Sequence, residues 1–360
     1  MTKEELFLLK PNGIHTAIYE EASNRWDCIS KPLDGLGDFE KITSQILAIH
    51  GVSHIKELKK VLVIMIADHG VVAEGVSQCG QEVTGSVASL LGCGRSTASR
   101  MAGFAGVDCI PVDVGINRKE EIPGVRNHKV RFGTNNFIEE PAMTTGDLLS
   151  ALEVGIQLAK ECKENGYHIL ATGAMGIGNT TAGTAVLCAL TGIPVQEVVG
   201  RGAGLSNDGL ERKKKVLATA LQKYDFLNPE PTKQYALEVM EKVGGLELAA
   251  MTGLYIGGAV CGMPVMIDGV LSAVSAFCAE RIMPGCREYM IPSHAGREKG
   301  TGIILKMLGH SPLINGNMAL GEGTGTLMAM PLLDMAFDFL EGATTFQEGK
   351  IENYKRLDTE

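Results

Sequence analysis

The segment Val61-Leu-Val-Ile-Met-Ile-Ala67 decides how the rest of the sequence is interpreted. It is a short apolar run, rich in β-branched residues, that ends at Asp68-His69-Gly70. Such a run is typical of a strand that is buried on both faces of a parallel sheet. We therefore predict a central strand here, followed by a loop.

The same pattern recurs along the chain. Further strand candidates cover residues 109–115, 168–172, 264–268 and 288–292, and helical patterns separate them. One of these helices is predicted over residues 144–163, with Thr144 or Thr145 as its cap. Because strands alternate with helices, the sequence predicts an α/β fold with a mostly parallel sheet.

Both ends of the chain lack this alternation. The first sixty residues have an amphipathic helical pattern, and the tail becomes helical again from about Asp334. We expect residues 1–60 and 334–360 to pack together as a small helical domain. Residues 61–333 are expected to form the large α/β domain.

Composition narrows the classes of function. The 360 residues are 45% hydrophobic and carry a formal net charge of −9. An acidic balance argues against general binding to nucleic acids, which needs a basic surface, but it allows a local site for one small phosphate ligand.

The nine cysteines are odd in number and no pair has CxxC spacing, so a disulfide framework or zinc site is not expected. The acidic residues Asp68, Asp113 and Asp268 show no metal-binding spacing, and we expect no metal. The start of the chain has no signal-peptide pattern, and no stretch is typical of a membrane span. These features favour a cytoplasmic protein that contacts no membrane.

The segment Gly173-Ala-Met-Gly-Ile-Gly-Asn-Thr-Thr-Ala-Gly183 leaves a predicted strand and opens an apolar helix. Glycines let backbone N–H groups approach an anion, and Asn179, Thr180 and Thr181 can cap the helix and donate hydrogen bonds. A phosphate site is one interpretation, and a tight turn with ordinary capping is the other. The segment is neither a P-loop nor GxGxxG.

Two other glycine-rich segments are candidates for the same site. Val199-Gly-Arg-Gly-Ala-Gly-Leu205 precedes a helix that carries Glu211-Arg-Lys-Lys-Lys215, where one lysine turned inward would add a point charge for phosphate. Leu320-Gly-Glu-Gly-Thr-Gly325 places Glu322 between glycines, just before a helix that starts near Leu327. Glu322 is either a general base or an exposed turn glutamate.

Polar residues follow most of the predicted strands. They are Asp68-His69, Gly173-Ala174-Met175, Asp268 and Ser293-His294. Ligands of parallel α/β sheets bind beyond the carboxyl ends of the strands, so we expect these residues to gather at one edge. His69 and His294 are more often structural, hydrogen-bonded histidines than catalytic ones.

Taken together, the sequence resembles the nicotinate-nucleotide–dimethylbenzimidazole phosphoribosyltransferases from about Ile64 to Phe346. Each matching stretch is weakly specific alone, but their common order is highly specific. The stretches are Ala67–Ser77, Val112–Ile116, Met175–Thr181, Val199–Gly202, Val243–Gly245, Pro264–Gly269, Pro292–His294 and Leu320–Gly325.

The resemblance implies a Rossmann-like domain with helices on both sheet faces, and a dimer whose active site borrows from the neighbouring subunit. It implies transfer of 5-phosphoribosyl from nicotinate mononucleotide to the lower-ligand base of a cobamide, without a cofactor. Glu322 matches the general base, and Ser293 lies near the nicotinate contacts. The matched phosphate contacts are Gly176, Gly178, Asn179, Thr180, Thr181, Gly202 and Lys213.

An apolar slot for the flat acceptor is expected to be lined by Val87 and Met175, with Cys79 and Leu320 beside them. The sequence departs from the family pattern around this slot and near the ribose. Departures lie at Ala174, where the family has a carboxylate, at Gln78–Gln81, at Gly92–Ser96 and at Gly296. The acceptor is therefore left open among a benzimidazole, a purine and a phenol.

Two alternatives remain open at this point. Some relatives act as a heterodimer of two paralogues, and this chain could be the non-catalytic or weakly active subunit of such a pair instead of a homodimer. An NAD-linked dehydrogenase is the other alternative, but the chain lacks GxGxxG followed by an acidic residue about 20 positions later.

Overall fold

A computed structural model of the chain describes residues 1–356. Its main sheet has six strands in the order β3-β2-β1-β4-β5-β6, and all neighbouring strands are parallel. This is the strand order of a doubly wound sheet, and it confirms the predicted α/β class. The strands are β1 Lys60–Ala67, β2 Val107–Gly115, β3 Arg126–Asn127, β4 Ile169–Met175, β5 Val265–Ile267 and β6 Met290–Pro292.

Helices surround this sheet, and a second parallel pair lies outside it. The helices are α1 Lys3–Leu8, α2 Thr16–Cys28, α3 Asp38–His50, α4 Glu82–Gly92, α5 Thr97–Ala105, α6 Thr145–Glu164, α7 Asn179–Thr191, α8 Val195–Val198, α9 Asn207–Lys223, α10 Lys233–Val243, α11 Leu246–Cys261, α12 Val270–Ile282, α13 Lys299–Leu308, α14 Thr324–Gly342 and α15 Phe346–Gly349. The second pair is β7 His294–Gly296 and β8 Ile314–Met318.

Strand β1 divides the core into two apolar layers. Alternate residues from Val61 to Ala67 join a layer built mainly with α6, α7 and α9 to α12, which we call layer A. Leu62, Ile64 and Ile66 join a layer built mainly with α2 to α5 and α14, which we call layer B. Every residue of β1 is buried, which confirms the predicted strand between two helical layers.

Two helices of layer A approach each other closely because glycines face the contact. A side chain at Gly257 of α11 would lie 2.7 Å from Cα of Ile156 in α6. Helix α6 is held at its start by a capping box between Thr144 and Asp147, so Thr144 is the cap. This packing places the first turn of α11, with Glu247, beside the carboxyl end of β1.

The two ends of the chain contact each other on layer B. The ring of Trp26 stacks on Phe339 with centroids 6.1 Å apart, and Arg25 donates to Glu341 over 2.9 Å. Helix α14 runs across the predicted boundary at residue 334, and Leu333 and Phe337 belong to the same layer. The division into two domains stays a prediction, and residues 357–360 lie outside the described part of the chain.

Several predicted bounds were wrong. Glu288 and Tyr289 were predicted as strand but lie in the 3₁₀ helix Cys286–Tyr289. Strand β4 continues to Met175, so the turn after it starts at Gly176, and α14 starts at Thr324. Strands β3, β7 and β8 were not predicted, because they are short and contain polar or glycine residues in place of an apolar run.

No helix within residues 1–356 is long and apolar enough to span a bilayer. The nine cysteines are all free thiols. Over the same residues, no group of three or more histidine, cysteine or acidic side chains is arranged to hold a metal ion.

Candidate active site

The polar residues that follow the strands meet at the carboxyl edge of the sheet. Asp68 and His69 follow β1, Asp268 follows β5 and Ser293 follows β6. The turn that carries Glu322 lies against β4, because a side chain at Gly173 would come within 2.8 Å of the backbone carbonyl carbon of Glu322. The structure thus brings the glycine turn and the Glu322 turn to opposite sides of the end of β4.

The glycine turn comprises residues 176–178 and leads into α7. Gly178 adopts a φ of +97° as the N-cap of α7, so Asn179 is the first helical residue and not the cap. The N–H groups of Ile177, Asn179 and Thr181 donate to Thr84 Oγ1, Gly176 O and Gly178 O. Within residues 1–356, this leaves the N–H groups of Gly178 and Thr180 for an anion at the helix head.

One lysine of the run after Glu211 turns inward. Lys213 is fully buried, and its Nζ donates to Thr180 Oγ1 over 2.9 Å and to Gly200 O over 3.2 Å. Gly202 lies beside them, since a side chain there would come within 2.8 Å of Thr180 Oγ1. Burial lowers the pKa of Lys213 to about 8, so a bound anion would favour its charged form.

A further carboxylate lies near this cluster and was not singled out in the sequence. Glu298 precedes α13 as its N-cap, and a side chain at Gly200 would lie 3.1 Å from its Oε1. Burial raises the pKa of Glu298, and Lys213 partly opposes the shift. No local motif marks Glu298, because its position depends on where α13 meets the loop after α8.

The turn that carries Glu322 has three successive residues with positive φ. The angles are +88° at Gly321, +57° at Glu322 and +81° at Gly323. A non-glycine residue in this conformation is strained and must be held by its surroundings. Asp268 supplies the restraint, because its two carboxylate oxygens accept from the N–H groups of Gly323 and Gly325 over 3.1 and 2.8 Å.

The Glu322 carboxyl group has the properties that a general base needs. Burial raises its pKa above the ordinary value, the backbone N–H of Ala98 lowers it, and the charge of Asp268 raises it further. Its Oε2 is buried and has no hydrogen-bond partner within residues 1–356. A carboxylate with a raised pKa and a free oxygen can accept a proton from a reactant in the cleft.

Two of the four predicted acceptor residues pack on the layer B side of the sheet. Val87 and Met175 both pack against layer B. Leu320 is 52% exposed, and Cys79 is half-buried with its Sγ 3.7 Å from Ser77 Oγ. Ala174 lies on the other face of β4 and packs against layer A, so it faces away from Met175.

Ser293 and His294 lie next to Asp268 at the end of the sheet. The Ser293 hydroxyl is fully buried and donates to Ile267 O over 2.5 Å. Nδ1 of His294 lies 3.0 Å from that hydroxyl and 4.0 Å from Asp268 Oδ1. The nicotinate contact at Ser293 stays a prediction, as do the other assigned site residues.

Comparison with known proteins decides the family. A family model described as a phosphoribosyltransferase matches residues 12–351. The nicotinate-nucleotide–dimethylbenzimidazole phosphoribosyltransferase of Ruminiclostridium cellulolyticum is 40% identical over 359 residues, which cover 99% of this chain and 100% of the relative. The chain belongs to this phosphoribosyltransferase family.

Other family members agree. The phosphoribosyltransferase of Clostridium acetobutylicum is 39% identical over 96% of this chain and 97% of its own length. The crystal structure of CobT from Thermus thermophilus has a TM-score of 0.86 and 38% identity, and covers 94% of this chain and 100% of that one. The family resemblance and the fold expected from the sequence are confirmed.

Sequence reasoning missed part of this phosphoribosyltransferase's site. Asp268 was noted only as an acidic residue after a strand, and Glu247 was not singled out. Both are buried carboxylates that contact glycine-rich backbone, Asp268 by two hydrogen bonds and Glu247 beside Gly245. The short motifs around them, Ile-Asp-Gly and Gly-Gly-Leu-Glu, were the available signals.

Proposed function

We propose that this chain transfers a 5-phosphoribosyl group from nicotinate mononucleotide to an aromatic lower-ligand base of a cobamide. The reaction releases nicotinate and forms an α-ribosyl phosphate. One observation carries the proposal. The buried ammonium of Lys213 beside the head of α7 and the half-buried carboxylate of Glu322 lie on the two sides of the end of β4. The proposal also rests on relatives that are named for this activity over the full chain.

The phosphate of the donor would bind at the head of α7. The N–H groups of Gly178 and Thr180, the Thr181 hydroxyl and the Lys213 ammonium offer hydrogen bonds there. The Thr181 Oγ1 supports this, because it is buried without a partner in the described residues. A dianionic phosphate would satisfy these donors, and the partial positive charge of the helix end would add to the attraction.

The chemistry needs little beyond positioning and one base. The bond from C1 of the ribose to the pyridinium nitrogen breaks with its electron pair going to nicotinate, so the leaving group is already activated. The acceptor attacks from the opposite face and forms the new bond with a heteroatom lone pair. Glu322 takes the acceptor's acidic proton, which is on the other ring nitrogen of a benzimidazole and on the attacking oxygen of a phenol. This proton transfer balances the reaction and contributes about 10²- to 10⁴-fold.

The acceptor would bind in the slot beside Val87 and Met175. The curated relatives are named for dimethylbenzimidazole, so we infer a benzimidazole as the first acceptor to test, with purines and phenols beside it. Ala174 faces layer A, the side of the phosphate turn. We infer that the absence of a carboxylate at position 174 affects binding of the donor more than proton transfer from the acceptor to Glu322.

We infer that the enzyme works as a homodimer. Helix α14 starts two residues after Glu322 and carries an exposed apolar stripe of Met328, Leu332, Met335 and Phe339, at helical spacing. Phe104 of the neighbouring helix α5 is 92% exposed. A second copy of the chain that covers this surface would lie close to the acceptor side of the site.

The free thiols support a cytoplasmic location, since a reducing compartment keeps exposed cysteines such as Cys28 and Cys93 in that state. The alternative of a weakly active paralogous subunit is not favoured. Relatives that match this chain over its full length are named as the transferase itself.

The deciding experiment is an acceptor screen by mass spectrometry. Purified protein with nicotinate mononucleotide is expected to release nicotinate and to form the ribosyl phosphate of the added base, with dimethylbenzimidazole, adenine and p-cresol tested separately. Absence of nicotinate release with every acceptor, alone and with a co-encoded paralogue, would reject the proposal.

A further inference from the structure

A buried, hydrogen-bonded pair of side chains lies beneath the glycine turn and takes no part in the chemistry described above. Nε2 of His69 lies 2.8 Å from Oε1 of Glu247, and both side chains are at most 1% exposed. His69 comes directly after β1, and Glu247 is in the first turn of α11. The pair therefore joins the central strand to the helix that packs across layer A.

The imidazole of His69 packs directly beneath the glycine turn. A side chain at Gly178 would come within 2.9 Å of Cβ of His69, and one at Gly176 within 3.6 Å of its Cδ2. Gly245 also approaches the pair closely. A side chain there would lie 2.6 Å from Oε2 of Glu247 and would collide with the imidazole of His69. Three glycines thus approach one buried ring and its carboxylate.

Stability alone does not explain this pair. Within residues 1–356, His69 Nδ1 and Glu247 Oε2 are both buried without a hydrogen-bond partner. Buried pairs of this kind often contribute no more to stability than apolar residues of the same volume. Partly satisfied polar groups in a native interior call for a functional reason.

We propose that His69 and Glu247 are positioning residues of the phosphate turn. The ring fills the space under Gly176 and Gly178, and the hydrogen bond to Glu247 holds it in one orientation. The turn is then fixed with the N–H groups of Gly178 and Thr180 facing the anion before the donor arrives. This inference rests on the proposed phosphate site at the head of α7.

The geometry restricts the effect to the donor. Thr181, Lys213 and Glu247 are in α7, α9 and α11, which are helices of layer A. His69 is hydrogen-bonded to Glu247. The Glu322 turn is held separately, through Asp268. Replacement of His69 or Glu247 should therefore weaken binding of the phosphate and leave proton transfer to Glu322 unchanged.

The test uses four variants of the full chain. His69→Leu and Glu247→Leu are expected to raise the KM for nicotinate mononucleotide about tenfold or more, with kcat at saturation within about threefold of wild type. Glu247→Gln keeps an acceptor for the imidazole and is expected to stay within about threefold in KM. The double variant His69→Leu/Glu247→Leu is expected to match the single variants, because the two residues act as one unit.

Tyr235→Phe is the matched control. It removes one buried hydrogen bond to the other end of α7, from the Tyr235 hydroxyl to Ala189 O over 3.0 Å. It should lower the melting temperature without changing the KM. If the single leucine variants do not fold, the double variant, which leaves no buried charge unpaired, takes their place.

Titration of inorganic phosphate, followed by ³¹P NMR, measures the same site without turnover. Weaker phosphate binding in the leucine variants than in Tyr235→Phe would support the inference. A KM and a phosphate affinity within about twofold of wild type would overturn it, as would a loss of kcat at unchanged KM. Wild-type protein that releases no nicotinate would reject the proposed function instead.

Discussion

The proposed donor side and the proposed acceptor side of the site differ in how deeply their side chains are buried. On the donor side Lys213, Thr181, His69 and Glu247 are all fully buried. On the acceptor side Leu320 is 52% exposed, and Cys79 and Glu322 are half-buried. With these proposed roles, a buried phosphate site beside a more open slot would let the acceptor change while the donor and the geometry of transfer stay the same.

Burial acts in opposite directions on the two charged groups of these sides. It lowers the pKa of Lys213 to about 8 and raises the pKa of Glu322 above its ordinary value. Lys213 must be protonated to hold a phosphate, and Glu322 must be ionised to accept a proton. Activity should therefore fall at acidic pH through Glu322, and donor binding should weaken at pH above about 8 through Lys213.

Replacement of Glu322, the proposed general base, should cause the largest change in activity. Glu322→Gln is expected to lower kcat by about 10²- to 10⁴-fold and to leave the KM for nicotinate mononucleotide unchanged. Steady-state kinetics with the best acceptor measures both. Glu211→Gln, at an exposed surface pair with Lys214, is the control and should behave as wild type. A rise in the KM of Glu322→Gln for nicotinate mononucleotide would show that the donor and acceptor sides do not act independently.

Removal of the buried ammonium should affect only the donor side. Lys213→Met is expected to raise the KM for nicotinate mononucleotide by roughly 10- to 100-fold, because a charged hydrogen bond to the phosphate is lost. In wild type this KM should rise above pH 8 as Lys213 loses its proton, and in the variant it should not. A pH-independent donor KM in wild type would contradict the role of Lys213.

Asp268→Asn probes the support of the Glu322 turn. Loss of one charged acceptor for the N–H groups of Gly323 and Gly325 should lower kcat by about tenfold. The charge of Asp268 raises the pKa of Glu322, so its removal should lower that pKa. The acidic limb of the kcat profile should then move to lower pH, and a limb that stays in place would contradict the assignment.

The smallest effect is expected in the acceptor slot. Val87→Ala should change the KM for the base by roughly two- to fivefold, since few methyl groups are removed from a partly buried position. The ratio of kcat/KM between dimethylbenzimidazole and adenine should shift, and the donor KM should not. An equal change in the donor KM would show that the two sides are not independent.

Short segments of sequence identified many of the residues that the structure brings together at this edge of the sheet. The apolar runs around β1, β2 and β4 and the glycine turn after β4 were identified because each signal lies within about ten consecutive residues. The residue pattern narrowed the inward lysine to the run after Glu211, because a helical pattern alone does not show which of three lysines faces the core. The family resemblance singled out Lys213. The 3₁₀ helix at Glu288 and Tyr289 was missed because a short apolar run resembles a strand.

The sequence by itself determined the alternation of strands and helices, the parallel sheet and the family, because hydrophobic periodicity and ordered motifs are local properties. Only the tertiary structure decided which residues share a side of the site. His69 and Glu247 are 178 residues apart, and Asp268 is 55 residues from Gly323. Such contacts depend on how helices pack across the sheet, which no local pattern encodes.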